Sequence, residues 1–236
     1  MKQEELDIIL ENHGKWLLNE GGEKADLSNA DLKNTNLRFA NLRLADLRGA
    51  DLSYADLRGA DLSYADLRFA NLRFADLRGA DLSNVNLSNV NLSNADLSYA
   101  DLSYANLSNA DLSYANLSNV NLSYANLSNA DLSYADLSYA NLSNADLSYA
   151  NLSNVNLNWV NWQHVEGLTV ICVQVDTTRK NNQIAYIKEL DIWITGCFQG
   201  TLDELKASVE QTHGDNEKLR KRYYRVIDFI LKEVAE

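Results

Sequence analysis

Apolar residues recur along most of this chain at a spacing of five, which is neither the 3.6 of a helix nor the two of a strand. From Ala25 onward the unit Ala-(Asp/Asn)-Leu-Xaa-Xaa runs without insertion. A leucine stands at every fifth position from Leu27 to Leu157, giving 27 units. Each unit has two apolar positions, the leucine and a small alanine that becomes Val85, Val90, Val120 or Val155 in four places. One large and one small side chain per unit are therefore expected to turn inward. The other three, Asp or Asn, then Ser or Arg, then Asn, Tyr, Gly or Phe, are expected to face outward.

The segments on either side follow other periods. Residues 1–24 have Leu6, Ile9, Leu10, Trp16 and Leu17 on one side and end at Gly21-Gly22, which predicts an amphipathic helix capping the exposed leucine column of the first units. After Asn158-Trp159 the repeat decays through Val160-Asn161-Trp162, where large aromatics can close the other end. Residues 167–236 predict a small α/β domain. Val170, Ile171, Val173 and Val175 form one strand, Thr178 to Asn182 a turn, and Ile184 to Ile194 a second strand. Thr201 and Glu204 have capping-box spacing and open a helix to about His213. Asp215-Asn216 starts another helix, with Leu219, Tyr223, Ile227, Ile230, Leu231 and Val234 as its apolar stripe.

The A(D/N)LXX units resemble the pentapeptide-repeat family. The resemblance implies an all-β solenoid, a right-handed quadrilateral β-helix with four units per coil, so that 27 units make nearly seven coils and residues twenty apart stack. At ~4.8 Å between stacked strands the rod would be roughly 32 Å long. The leader Leu10-Glu-Asn-His-Gly-Lys-Trp16 and the tail motifs Gly196-Cys197-Phe198 and Thr212 to Asn216 are similar to the ends of phage-encoded members. The expected domains are thus a capping helix at 1–24, a pentapeptide-repeat β-helix at 25–166 and the α/β domain at 167–236.

Charge adds an asymmetry to this plan. The chain has 236 residues, 33 acidic and 21 basic, for a net charge of −12, and no proline. A chain without proline keeps every backbone N–H for a ladder. All eight cations of the repeat (Lys33, Arg38, Arg43, Arg48, Arg58, Arg68, Arg73, Arg78) precede residue 80, and none occurs from Gly79 to Thr178. Asp81, Asp96, Asp101, Asp111, Asp131, Asp136 and Asp146 therefore have no cation of the repeat expected beside them. Residues 91–122 are identical to 126–157, an offset of 35, or seven units. Seven is not a multiple of four, so the copy turns its charges onto other faces, and a field rather than one patch is what survives it.

Candidate chemistry is sparse. His13, His164 and His213 lie in three different segments with no metal-binding spacing, and no glycine loop is shaped for phosphate, so no cofactor is expected. Cys172 and Cys197 are expected to be free thiols, and a thiol reaction at Cys197 is the weakest of the readings. The cluster Lys218, Arg220, Lys221, Arg222 and Arg225 falls on the polar side of an amphipathic helix, where solvation explains it and direct nucleic-acid binding is not expected. No apolar run approaches the ~20 residues that span a bilayer, which points to the cytoplasm, here that of a bacterial host.

The leading expectation is a non-enzymatic interaction protein of phage type. Resemblance to the gyrase-protecting pentapeptide proteins implies a DNA mimic, an acidic rod occupying the basic DNA-binding surface of a bacterial topoisomerase, nuclease or defence factor. The seven aspartates would make the electrostatic contact. The alternative is a scaffold or assembly factor whose C-terminal domain binds the partner. A homodimer would form through Trp159, Trp162, Tyr223, Ile227, Ile230 and Val234.

Overall fold

The structure, a computed structural model, describes residues 1–175, 183–196 and 198–235. Its middle is a four-sided coil whose geometry follows from one five-residue turn. In the unit around Leu27, the Ala30 N–H donates to the Leu27 carbonyl at 3.1 Å and Asn29 has φ +56°. A positive φ at the third residue of a four-residue turn is the type II signature. The same position is left-handed in unit after unit, from Asn29 to Trp159 and His164.

Between turns the chain pairs only with the coils above and below. Leu27 N–H donates to the Asp46 carbonyl at 2.7 Å, and Asp46 N–H donates to the Ala25 carbonyl at 3.0 Å. Parallel bridges at a separation of twenty residues run from Asp26↔Asp46 to Asp146↔Glu166. Four units therefore close each turn of the coil. Every leucine of the five-residue column from Leu27 to Leu157 is buried, with the alanines and valines at the corners beside them. Trp162 takes the leucine position of the last coil and is buried there.

The outward assignment needs one correction. The position after the leucine is only half outside, because Ser53, Ser63, Ser93, Ser98 and Ser103 are buried against the stacked coils. A small hydroxyl fits there, and the large arginines of the first coils reach outward from the same position.

Both open ends of the ladder are covered. α1 (Gln3–Leu17) lies across the first coil, shorter than the 24 residues expected, since Asn19 turns left-handed beyond its end. Gly22 is required at its exit, because a Cβ there would sit 2.2 Å from the Asn12 carbonyl oxygen. At the other end four antiparallel strands, β1 (Val170–Gln174), β2 (Gln183–Ile187), β3 (Ile192–Thr195) and β4 (Phe198–Gly200), form a sheet in sequence order. The single strand expected from Ile184 to Ile194 is split by a 3-10 turn at Lys188–Leu190, with Asp191 at φ +49°. One face of the sheet, with Ala185, Ile187 and Ile194, joins the solenoid core. The other, with Ile184, Tyr186 and Trp193, packs under α2 (Leu202–His213) and α3 (Glu217–Ala235). The Thr201–Glu204 capping box forms, and Asn216 caps α3 by accepting from the Leu219 N–H at 3.1 Å. The expected turn at Thr178 to Asn182 lies outside the described residues. Among the described residues, no helix is long and apolar enough to cross a membrane.

Candidate protein-interaction surface

The Asp or Asn of each unit is held by its own turn. In the acidic half, Oδ1 of Asp81, Asp96, Asp101, Asp111, Asp131, Asp136 and Asp146 accepts from the backbone N–H two residues on, at 2.9–3.0 Å. Asn does the same elsewhere, as where Asn86 accepts from Ser88 at 3.2 Å. The local bond needs an oxygen and not a charge. Above Asp96, Asp101, Asp131 and Asp136, the Asn of the next coil donates its Nδ2 to the same Oδ1 at 2.9–3.1 Å. These carboxylates are fixed in orientation, and Oδ2 of Asp101, Asp131 and Asp136 lies outside both of these bonds.

The coil register puts them on every side. Asp81 and Asp101 share one flank, Asp111 and Asp131 a second, Asp96 and Asp136 a third, and Asp146 the fourth. The offset-35 duplication explains this, since Asp131, Asp136 and Asp146 are the copies of Asp96, Asp101 and Asp111, each moved to a neighbouring flank. One expectation is corrected: Asp96 is not free of cations, because Arg78 of the coil below approaches its Oδ2 at 3.8 Å.

In the basic half, acids and bases interleave. Arg68 and Arg78 fork onto Asp66 and Asp76 of their own turns at 2.7 and 2.6 Å, and Arg48 and Arg58 do the same on Asp46 and Asp56. Arg58 also reaches Asp76 of the next coil at 3.3 Å. These guanidinium bonds hold the carboxyls of Asp46, Asp56, Asp66 and Asp76 below the ordinary carboxylate range. The first coils are thus internally neutralised, and the later ones are not.

Aromatics stand on the same flanks. Tyr104 stacks on Tyr124 and Tyr114 on Tyr134 at 4.8 Å, and Tyr54 on Phe74 at 4.9 Å, one coil apart in each case. Trp159 is half-buried and stacks on Tyr139 at 6.0 Å. The other residues expected to join two copies are turned inward: Trp162 closes the coil, and Tyr223, Ile227 and Ile230 are buried on the sheet-facing side of α3, with Val234 half-buried beside them. Among the described residues no cluster of His, Cys, Asp or Glu could hold a metal. Cys172 meets solvent on one side, yet its apolar surroundings push its thiol up to about 11, and Cys197 lies outside the described residues.

Three polar residues that the repeat pattern does not reveal secure the ends. Gln3 donates to the Asn36 carbonyl and accepts its N–H, both at 3.0 Å. Gln199 does the same at the far end, accepting from Leu157 N–H at 2.8 Å and donating to the Val155 carbonyl at 2.7 Å. Each side-chain amide stands in for the missing neighbour strand. His13 is fully buried, with Nδ1 accepting from the Ala25 N–H at 3.1 Å and Nε2 lying 3.0 Å from the Arg43 carbonyl.

The repeat matches a known family. A model described as pentapeptide repeats matches in eight copies over residues 25–63, 65–103, 91–129 and 125–161. A crystal structure of a pentapeptide repeat protein from the Arabidopsis thaliana thylakoid lumen is 36% identical, covers 41% of this chain and 67% of its own, and has a TM-score of 0.40. HetL, a pentapeptide repeat protein involved in heterocyst differentiation regulation from the cyanobacterium Nostoc, is 33% identical over 61% of this chain and 85% of its own, with a TM-score of 0.32. QnrB1, a plasmid-mediated fluoroquinolone resistance protein, is 24% identical over 61% of this chain and 82% of its own, with a TM-score of 0.45. No curated protein sequence matches the chain. With its repeat matched from residue 25 to 161, the chain belongs to the pentapeptide-repeat family, whose fold is the right-handed quadrilateral β-helix.

Proposed function

We propose that this protein is a non-enzymatic interaction protein of phage type, whose acidic coils act as a rigid DNA mimic. Its partner would be a bacterial DNA-binding protein, a topoisomerase, nuclease or defence factor, met in the host cytoplasm. The observation that supports this reading is the cation-free stretch above Gly79, where seven aspartates point from all four flanks. Duplex DNA has one charge per ~1.7 Å of axis. Seven aspartates over four coils of ~4.8 Å give one per ~2.7 Å, within a factor of two of the duplex. A groove that recognises phosphate by charge meets a comparable density here, without a base edge to read.

The test is a variant with all seven aspartates changed to Asn. The fold should persist, since Asn already makes the same turn bond elsewhere. The wild-type protein should displace duplex DNA from its partner in a salt-sensitive manner, and the variant should not. A neutral rod that displaced DNA equally well would rule the reading out.

One observation favours the scaffold alternative. α3 lies in the outermost layer, and its first turns hold Lys218, Lys221 and Arg225 at the surface. Deleting residues 167–236 would uncover the end of the coil, so the cleaner discriminator is charge reversal at Lys218 and Arg225. A decoy acting through its coils keeps its partner after this change, and a scaffold loses it.

A further inference from the structure

β1 is the outer strand of the C-terminal sheet, pairing with β2 alone. The pairing is antiparallel, with Val170 opposite Ile187 and Cys172 opposite Ala185. Lys188 N–H donates to the Thr169 carbonyl at 3.0 Å, which fixes the alternation. Pairs that exchange hydrogen bonds fall at 169, 171 and 173, so the main-chain groups of Val170 and Cys172 turn away from β2. Neither has a backbone partner on that outer side among the described residues.

Free edges of this kind are ordinarily guarded by lysine, proline or a bulge. β1, with the sequence Val-Ile-Cys-Val-Gln, has no charge and no proline. A groove of about 340 Å³ runs beside it, lined by Val160, Trp162, Val170 and Cys172 among others. Residues directly opposite in a sheet share a face, so a strand added to this edge would direct alternate side chains into that groove. The groove suits small uncharged side chains at alternate positions, and β1 itself supplies them in Val170 and Cys172.

We propose that β1 pairs antiparallel with β1 of a second copy of this chain, Val170 of each facing Cys172 of the other, so that two four-stranded sheets continue as one. A twofold contact of this kind uses both open edges at once and closes as a dimer. It is independent of the acidic coils and of any host partner.

Light scattering on the full chain at micromolar concentration should give twice the 26.5 kDa chain mass. Cys172→Lys and Cys172→Pro should each return it to a monomer with a nearly unchanged melting temperature, since the Cys172 side chain is exposed and its N–H turns away from β2 in the single chain. A second measurement requires no edge variant. In this register the two Cys172 residues are diagonal neighbours, ~7–8 Å apart, within reach of a short bismaleimide. With Cys197→Ser to remove the chain's other thiol, the cross-linked dimer should form, and it should vanish with Cys172→Ser. A monomer mass for the wild type, a dimer in a natively melting edge variant, or no cross-link at Cys172 would each overturn the proposal.

Discussion

Tyrosine is a poor choice for a left-handed turn position, yet the repeat uses it again and again. Holding a residue with a Cβ in that region costs about 1–2 kcal/mol relative to Gly, and Asn relieves part of it through its short polar side chain. Stacking repays the strain where another ring lies one coil away, as for Tyr114 and Tyr134. Tyr149, at φ +60°, is 90% exposed and has no ring stacked on it among the described residues. Tyr149→Asn should therefore stabilise the protein by roughly 0.5–1 kcal/mol, whereas Tyr114→Asn should be neutral or destabilising, as thermal melts of the two variants would show. At the inner positions the sign is reversed. Leu97→Lys would bury an unpaired charge and cost several kcal/mol. Ser98→Lys is also destabilising, because Ser98 is only 5% exposed, while Tyr149→Lys, which exchanges one exposed left-handed side chain for another, leaves the midpoint nearly unchanged. The leucine column was legible from spacing alone. The burial of the serines was not, because a five-residue period says which side chains recur and nothing of how closely stacked coils crowd the next position.

At the scale of elements, the solenoid depends on its caps, and the N-terminal one depends on a protonation state. His13 accepts from Ala25 N–H through Nδ1, so Nε2 must hold the proton and donate to the Arg43 carbonyl. Burial, which outweighs the Arg43 bond, depresses its pKa, and nearby Lys24 adds a smaller push in the same direction. The unfolded ring titrates near 6.5. Below that value the unfolded chain binds more protons than the folded one, so the stability contributed by the cap is complete above pH 6.5 and declines as the pH falls toward the folded pKa. Protection factors of the α1 amides, referred to the intrinsic exchange rate at each pH, should fall as the pH is lowered through this window, and His13→Gln should flatten the dependence. The helix was visible in the sequence through its apolar stripe. The roles of Gln3, His13 and Gln199 were not, because each answers an unpaired backbone group whose position exists only once the coil has closed. The tail was legible in its helices, where the Thr201–Glu204 box and the stripe through Ile227 announce themselves, and less so in its sheet, where a left-handed Asp191 divides one apolar run into two strands.

Across the whole molecule, the contrast between the two halves of the rod is electrostatic and not structural. The early arginines are spent on aspartates of their own and adjacent turns, while the later coils keep the same backbone and leave their carboxylates to solvent and to asparagine donors. That division could be read from the sequence, since it needs only the positions of the cations and the period of the coil. The pairing of Arg78 with Asp96 across the boundary needed the register. A field spread over all flanks, and not a docking patch, is what we propose the acidic coils act through. It is tested most directly by removing charges in equal pairs, one flank at a time. Three double variants do this: Asp81→Asn with Asp101→Asn, Asp111→Asn with Asp131→Asn, and Asp96→Asn with Asp136→Asn. Each is assayed for displacement of duplex DNA from the bacterial partner at several salt concentrations. A field predicts that all three pairs weaken displacement to a similar degree, each with a shallower salt dependence than the wild type. Loss of displacement with one pair, and wild-type behaviour with the other two, would contradict the account and place recognition on a single face.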